Sequence, residues 1–118
     1  MKTQDRTNAK QAAQYFLEAW KGRRWGQMLT FCQYTWRESY GRQRLKEMFK
    51  PLQLDEYEVN SNLIKGDCMV EVYCWYVING QPKRGKMRVI CETAPYAPSL
   101  EGEWGVNPIS VLKMAERK

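Results

Sequence analysis

Residues 68–93 read CMVEVYCWYVINGQPKRGKMRVICET, which is two runs of alternating side chains joined by a turn signal. The first run, Cys68 to Ile78, alternates with a period of two and is typical of a strand. The Asn79-Gly80 step that follows it favours a tight hairpin turn. The second run, Lys83 to Thr93, carries small and aliphatic side chains on one side. The segment therefore predicts an antiparallel hairpin.

The same period continues on both sides of this hairpin. Before it, alternate positions from Tyr57 to Leu63 are apolar or small, and Lys65-Gly66-Asp67 is a turn signal. After it we expect an irregular loop over Ala94–Gly102 and then a fourth strand over Glu103–Met114. The whole region predicts a four-stranded antiparallel meander.

Upstream of residue 51 the period changes to that of a helix. The first helix has an apolar stripe made of Ala9, Ala12, Ala13, Phe16, Leu17 and Trp20, and Gly22 ends it. A second helix is predicted from Trp25 to Trp36 and a third from about Tyr40 to Lys50, before Pro51. Helices followed by strands predict an α+β fold with the helices on one face of the sheet. We expect one domain over residues 1–118, with residues 1–6 and 115–118 frayed.

Charge is concentrated in one segment of this basic chain, whose net charge is +6. Residues 21–50 hold eight cations and only two carboxylates. Aromatic residues lie between them, and a basic and aromatic surface can bind single-stranded nucleic acid or another anion. Ordinary solvated charge is the alternative. The candidate anion-binding residues are Arg23, Arg24, Arg37, Arg42, Arg44 and Lys46. A second basic group is predicted at the hairpin tip and on one strand face: Lys83, Arg84, Lys86 and Arg88.

No residue set reaches the standard of a catalytic or metal signature. The chain has no His, and its four Cys have no CxxC spacing, so we expect reduced thiols, no metal and no cofactor. Glu71 and Glu92 are expected to face outward, either solvated or paired across strands. The N-terminus lacks the apolar region of a signal peptide, and no run is long enough to cross a membrane. We expect a cytoplasmic protein without a membrane partner.

The order of these elements resembles the NTF2-like superfamily. The resemblance rests on the helix pair AAQYFLEAWKGRRWGQMLTFCQYTW, the hairpin above and the closing segment EGEWGVNPISVL, with a Trp in mid-strand. It implies a cone in which a curved sheet wraps the first helix and a pocket opens between helices and sheet. The superfamily holds isomerases, dehydratases and hydrolases as well as transport factors, so it implies no single chemistry. Its enzymes commonly use an Asp base, often with His or Tyr, and an enzyme here would need an unusual site without His.

A non-catalytic module that binds a small apolar or aromatic ligand, or a protein partner, is the leading interpretation. Tyr34 and Tyr76 are the candidate polar groups of its pocket. The alternative to an open pocket is a filled core. The predicted lining is Phe16, Trp20, Met28, Cys32, Tyr34, Trp36, Val72, Cys74, Tyr76, Val89, Cys91 and Trp104.

One face of the strand over residues 68–78 is apolar where a solvent-facing surface would be polar. A patch of this kind indicates a homodimer that pairs sheet against sheet, and NTF2-like proteins often pair this way. A loop or the C-terminal tail folded over the face of a monomer is the alternative. The predicted interface is Met69, Tyr73, Trp75, Val77, Ile90, Ile109 and Val111.

Overall fold

Helices precede strands in the computed structural model, which describes residues 2–99 and 101–115. The predicted α+β class is confirmed: three N-terminal helices pack against a curved, unclosed antiparallel sheet. The elements, in chain order, are α1 Lys2–Lys21, α2 Trp25–Thr30, α3 Tyr34–Phe49, β1 Leu54–Gly66, β2 Met69–Ile78, β3 Gln81–Ala94, β4 Ala97–Pro98, β5 Glu103–Val106 and α4 Pro108–Ala115. Of the ends expected to fray, residues 2–6 belong to α1, and residues 1 and 116–118 lie outside the described residues.

The predicted hairpin is the centre of the sheet. β2 pairs with β3 along its whole length, from Met69 opposite Ile90 to Ile78 opposite Gln81. Asn79 and Gly80 turn the chain with φ of 52° and 78°, the left-handed pair that a two-residue hairpin turn needs. β1 pairs with the other edge of β2. At its far end β3 pairs with β4 on one side and with β5 on the other, since Glu92 pairs with both Pro98 of β4 and Glu103 of β5.

The core lies between α1 and one face of the sheet, which we call the inner face. Its largest side chains are Trp20, Phe16, Phe49 and Tyr76, each without exposed surface. The Trp20 ring meets that of Phe49 at 5.0 Å, and its Nε1 donates to the backbone oxygen of Leu52 at 2.9 Å. Alternate residues of β2, Val70 to Ile78, supply the floor of this core, as the period of two predicts.

The predicted fourth strand is wrong beyond Val106. Asn107 and Pro108 end β5, and residues 108–115 form α4. The side chain of Asn107 accepts from the Ile109 backbone N–H at 3.0 Å, and Pro108 has the fixed φ that suits a first helical position. The helix then lies along the edge of β3 that β5 leaves open. There Asn107 N–H donates to Arg88 C=O at 2.8 Å, and Arg88 N–H donates to the Ser110 hydroxyl at 3.0 Å.

The second predicted helix is also interrupted. α2 ends at Thr30, and Cys32 forms a parallel bridge to Val106 of β5. Val106 N–H donates to Phe31 C=O at 2.8 Å, and Gln33 N–H donates to Val106 C=O at 3.1 Å. A new helix, α3, starts at Tyr34 and kinks at Gly41, whose φ is 70°. The long-range pairing with β5 overrides the local helical pattern of residues 25–36.

Candidate binding site

The residues predicted to line an internal pocket largely come together in the core. Nine of the twelve are at most 3% exposed: Phe16, Trp20, Met28, Cys32, Val72, Cys74, Tyr76, Val89 and Cys91. All of them except Cys91 belong to one core cluster, in which the Phe16 and Trp20 rings both lie against Phe49. Tyr34, Trp36 and Trp104 are only half-buried. An open pocket inside the cone therefore stays a prediction.

The three outlying members have separate surroundings. Tyr34, at the start of α3, lies 4.0 Å from the Arg37 guanidinium. Trp36 stacks on Tyr40 at 4.3 Å. Trp104 lines a surface cavity of about 330 Å³ that it shares with Tyr15 of α1 and Phe31. Trp36 and Trp104 still pack against the core cluster, so these two half-buried residues lie at its margin.

The buried thiols have little chemical reactivity. Burial raises the pKa of Cys32 to about 12 and that of Cys74 to about 11. Since the thiolate is the reactive form, both sulfurs are inert at neutral pH. Burial also raises the pKa of Tyr76 well above its ordinary value, and the adjacent Cys74 adds to the rise. All four cysteines are free thiols.

The two strand carboxylates are buried, which corrects the expectation of solvated groups. Glu71 is 7% exposed and lies 3.5 Å from Lys86 and 4.0 Å from Arg88 on the neighbouring strand. It is therefore paired across strands, the second of the two predicted alternatives. Glu92 is 2% exposed and accepts from the backbone N–H of Thr35 at 3.1 Å and from its hydroxyl at 2.7 Å. Glu92 thus caps the start of α3 from the sheet. Both carboxylates have structural partners.

A tyrosine and a carboxylate do meet within hydrogen-bond reach, but near the surface. The Tyr57 hydroxyl donates to the exposed Glu18 at 2.9 Å, which ties β1 to α1. Partial burial, with this hydrogen bond, raises the pKa of Tyr57 to about 12. Among the described residues, no group of three or more His, Cys, Asp or Glu side chains is placed to hold a metal.

The candidate anion-binding residues of segment 21–50 have structural contacts of their own. Arg23 donates to the Lys50 carbonyl at 2.7 Å, and Arg37 donates to the Cys32 carbonyl at 2.9 Å and pairs with Glu103 at 3.2 Å. Arg24 bonds Gln27 and Arg44 pairs with Glu47. Arg42 is exposed and Lys46 half-buried. At least four of the six cations are therefore used within the helical region.

Five of the seven residues predicted to form a dimer interface share one face of the sheet and two do not, while the dimer itself stays a prediction. Met69, Tyr73, Trp75, Val77 and Ile90 share the face opposite the core, which we call the outer face. Tyr73 is 37% exposed and the other four are half-buried. Val111, by contrast, is fully buried in α4, and Ile109 lies on the same helix. The reason is the helix start at Asn107-Pro108, which removes the strand parity on which that part of the prediction rested.

A cavity of about 560 Å³ opens on the outer face between Tyr73 and Trp75. We call it the slot. Its floor includes Cys74 and Gly85, which pair across β2 and β3. Glu58 and Asn60 of β1 lie at one end, where Asn60 donates to Glu58 at 2.9 Å. Arg84, opposite Trp75 in the register, lies at the other end.

A second cavity of about 430 Å³ adjoins the slot and shares Tyr73, Arg84 and Gly85 with it. We call it the groove. It lies between the outer face of β3 and α4, and Ser110 and Met114 of α4 contribute to its wall. Of the part of the chain that the structure describes, one carboxylate, Glu71, and four cations line it: Arg84, Lys86, Arg88 and Lys113.

The sequence pattern anticipated part of this site. Tyr73 and Trp75 were recognised as outward apolar residues, and Arg84, Lys86 and Arg88 as a basic strand face. Glu58, Asn60, Ser110 and Lys113 were missed, because their position depends on the register of β1 and on α4. The register signal is weak in β1, where an irregularity falls between Val59 and Asn62.

No family model, curated protein or solved structure matches this chain. Within the described residues, no helix is long and apolar enough to cross a membrane.

Proposed function

We propose that the protein is a non-catalytic binding module that holds a flat aromatic ligand in the slot on the outer face of its sheet. The observation that carries this proposal is the pair of aromatic walls, Tyr73 and Trp75, on either side of a cavity of about 560 Å³. The core on the inner face is complete without them. A large aromatic pair left half open on the opposite face suits a ligand better than it suits folding.

The spacing of the walls supports a planar ligand. Residues two apart on a strand stand on the same face about 6.6 Å from each other. Carbon atoms in contact are about 3.5 Å apart, so a flat ring between two side chains needs about 7 Å. The slot therefore has the width for one ring. Glu58 and Asn60 at its end supply polar groups that can hydrogen-bond the edge of that ring.

Neutral fused-ring compounds test this proposal. Indole, quinoline and adenine would be titrated into ¹⁵N-labelled protein while the indole N–H signals of the five tryptophans are followed by NMR. We expect the Trp75 signal to shift and the signal of the buried Trp20 to stay. Trp75→Ala and Tyr73→Ala should remove the shifts, whereas Trp25→Ala, on α2, should not. Shifts centred on Trp20, or none with any compound, would contradict the proposal.

We also propose that the chain is a divergent NTF2-like protein. Helices followed by an antiparallel meander, with α1 against the curved inner face, support this assignment. α4 departs from the expected long closing strand. The alternative anion site in segment 21–50 is not proposed, because Arg23 and Arg37 of that segment bond protein carbonyls and a carboxylate.

Self-association is a second candidate function, favoured by the distribution of charge on the outer face. Glu56 and Glu58 lie along β1 on one side of the apolar stripe of β2. Arg84, Lys86 and Arg88 lie along β3 on the other. In a face-to-face dimer with its two-fold axis parallel to the strands, each β1 faces the β3 of the partner. Opposite charges then meet, whereas an axis across the strands would oppose like charges.

Charge reversal distinguishes this dimer from a monomer. Light scattering at micromolar concentration should give twice the 14.0 kDa chain mass. The pair Glu56→Lys/Glu58→Lys should weaken the dimer, and so should Arg84→Glu/Lys86→Glu. An equimolar mixture of the two variants should restore it, because each reversed edge then faces its opposite. A monomeric wild-type protein would refute self-association and leave the face open for the aromatic ligand.

A further inference from the structure

We propose that the ligand of the slot carries a phosphate that lies in the neighbouring groove, so that the site takes a nucleotide whose base bears an amino group. This inference rests on the proposed aromatic slot and adds the class of its ligand. It places the anion site on β3 and α4, away from the cations of segment 21–50.

The two cavities are continuous. Tyr73, Arg84 and Gly85 line both, so one molecule can lie in the slot and reach the groove across them. A nucleotide has this shape, with a flat ring at one end and a phosphate at the other. The sugar would pass over the backbone at Gly85 and beside Arg84.

The groove has the charge that a phosphate requires. Arg84, Lys86, Arg88 and Lys113 surround it, and among the described residues Glu71 is the only acidic one that lines it. Glu71 is 7% exposed and sits between Lys86 and Arg88, where it orients both side chains and offsets part of their charge. Neither Arg84 nor Lys113 forms an ion pair with another residue of the described chain. Their guanidinium and ammonium groups can therefore bind a phosphate by charge-assisted hydrogen bonds.

The far end of the slot selects the base. Glu58 receives a hydrogen bond from Asn60 Nδ2 at 2.9 Å, which fixes the carboxylate at the rim. A carboxylate accepts from the exocyclic amino group of adenine or cytosine, and it has no donor for the carbonyl of uracil or thymine. Base stacking on Tyr73 and Trp75 supplies the contact that does not depend on the base.

Four probes test the inference by isothermal titration calorimetry: adenosine monophosphate, adenosine, uridine monophosphate and inorganic phosphate. We expect adenosine monophosphate to bind at least tenfold more tightly than adenosine or uridine monophosphate, and inorganic phosphate to bind too weakly to measure at millimolar concentration. Higher salt should weaken the binding of adenosine monophosphate and leave that of adenosine almost unchanged. A ten-nucleotide deoxyadenosine strand that binds more tightly than the mononucleotide would identify a single strand as the source of the nucleotide. Equal affinity would identify the free nucleotide.

Variants separate the two parts of the site. Arg84→Ala/Lys113→Ala should reduce the affinity for adenosine monophosphate to that for adenosine. Trp75→Ala should reduce both affinities. Arg42→Ala/Arg44→Ala, which removes two exposed cations of α3, should change neither.

The outcomes also separate the inference from the proposed function. Equal binding of adenosine and adenosine monophosphate would overturn the phosphate site and leave the aromatic slot standing. Binding of neither would overturn both. Loss of nucleotide binding in the α3 variant but not in Arg84→Ala/Lys113→Ala would place the anion site in segment 21–50 and overturn the assignment to the groove.

Discussion

The two faces of the hairpin β2–β3 use similar side chains in different ways. On the inner face, Val72, Tyr76, Met87 and Val89 have no exposed surface and meet the helices directly. On the outer face, Tyr73 and Trp75 are equally apolar but stand half open between a row of carboxylates and a row of cations. Hydrophobicity alone does not distinguish the two faces. The two faces differ in what covers them. Helices of the same chain cover the inner face, whereas no described element covers the outer face over β1 to β3.

The largest expected effect tests the inner face. Trp20→Ala should reduce the free energy of unfolding by about 3–5 kcal/mol, since it removes a fully buried aromatic ring and its hydrogen bond to Leu52. Trp75→Ala makes the same chemical change on the outer face and should cost only about 1 kcal/mol. Urea unfolding of the two variants measures both. Similar losses would mean that the outer face is as important to folding as the core.

The next effect concerns the end of the sheet at β5, where the backbone of residues 32 and 33 packs against Gly105. Gly105 pairs with Ile90, and a Cβ on it would lie 2.5 Å from the Gln33 backbone. Gly105→Ala should therefore destabilise the protein by about 1–3 kcal/mol, because backbone rather than a flexible side chain has to move. Gly66→Ala is the matched control, since a Cβ there meets nothing within 4 Å. If thermal melts gave the same loss of stability for both variants, the backbone of residues 31–33 would not be packed closely against β5.

The charge of Glu92, which accepts two hydrogen bonds from Thr35 near the same end of the sheet, provides a second test. Glu92→Gln keeps the shape of the side chain and leaves one oxygen for the two donors of Thr35, so we expect a loss of about 1–2 kcal/mol. Glu103→Gln, on the strand position opposite, changes only exposed contacts to Arg37 and Tyr34 and should cost less than about 1 kcal/mol. The difference between the two denaturant midpoints is the measurement. Equal midpoints would remove the role of Glu92 as a cap of α3.

The smallest effect is alkaline destabilisation from the buried thiols and a tyrosine. The pKa of Cys32 rises on folding from 9.0 to about 12, that of Cys74 from 9.0 to about 11, and that of Tyr57 from 10.0 to about 12. A raised folded-state pKa means that the folded protein keeps its proton while the unfolded chain loses it. Stability from these groups is complete below about pH 9 and falls as the pH rises towards 12, on the order of 1 kcal/mol between pH 9 and pH 10.

Urea unfolding at pH 8, 9, 10 and 11 measures this slope. Cys32→Ala should flatten it, at some cost in stability at every pH, and Tyr57→Phe should flatten it above pH 10. Gln43→Ala, at an exposed position of α3, should leave it unchanged. If the free energy of unfolding fell equally steeply with pH in Cys32→Ala and in the wild-type protein, the alkaline destabilisation could not be assigned to the buried thiol of Cys32 on the inner face.

The elements that the sequence predicts well are those whose signals are local. The alternation of residues 68–78, the Asn79-Gly80 turn and the stripe of α1 are each read within a dozen residues, and the structure has all three. The end of β5 was also locally marked, by Asn107 and Pro108, but the apolar alternation beyond them outweighed that signal. The break of the second helix at Cys32 has no local signal, because it depends on pairing with Val106, more than seventy residues away.

The residues of the candidate site also divide into those that a local sequence pattern predicts and those that depend on long-range packing. Outward side chains of β2 and β3 follow from parity along one hairpin, so Tyr73, Trp75 and the basic row could be predicted together. That Glu58 lies at the end of the slot and Lys113 beside the groove depends on how β1 and α4 are placed against that hairpin. The internal pocket was predicted from side chains that do converge, but the volume that their packing leaves cannot be read from their identities.

The placement of α4 along β3 has a consequence for solubility. A strand edge with unsatisfied N–H and C=O groups is a template on which strands of other molecules can add. At Arg88 both groups are already bonded, one to Asn107 and one to Ser110, and Met114 lies over Gly85 further along the same edge. This eight-residue helix therefore protects the edge of β3 from intermolecular β-pairing. A protein shortened at residue 106 would lose this cover together with the buried side chains of Val111 and Met114, so we expect it both to be less stable and to form β-rich aggregates.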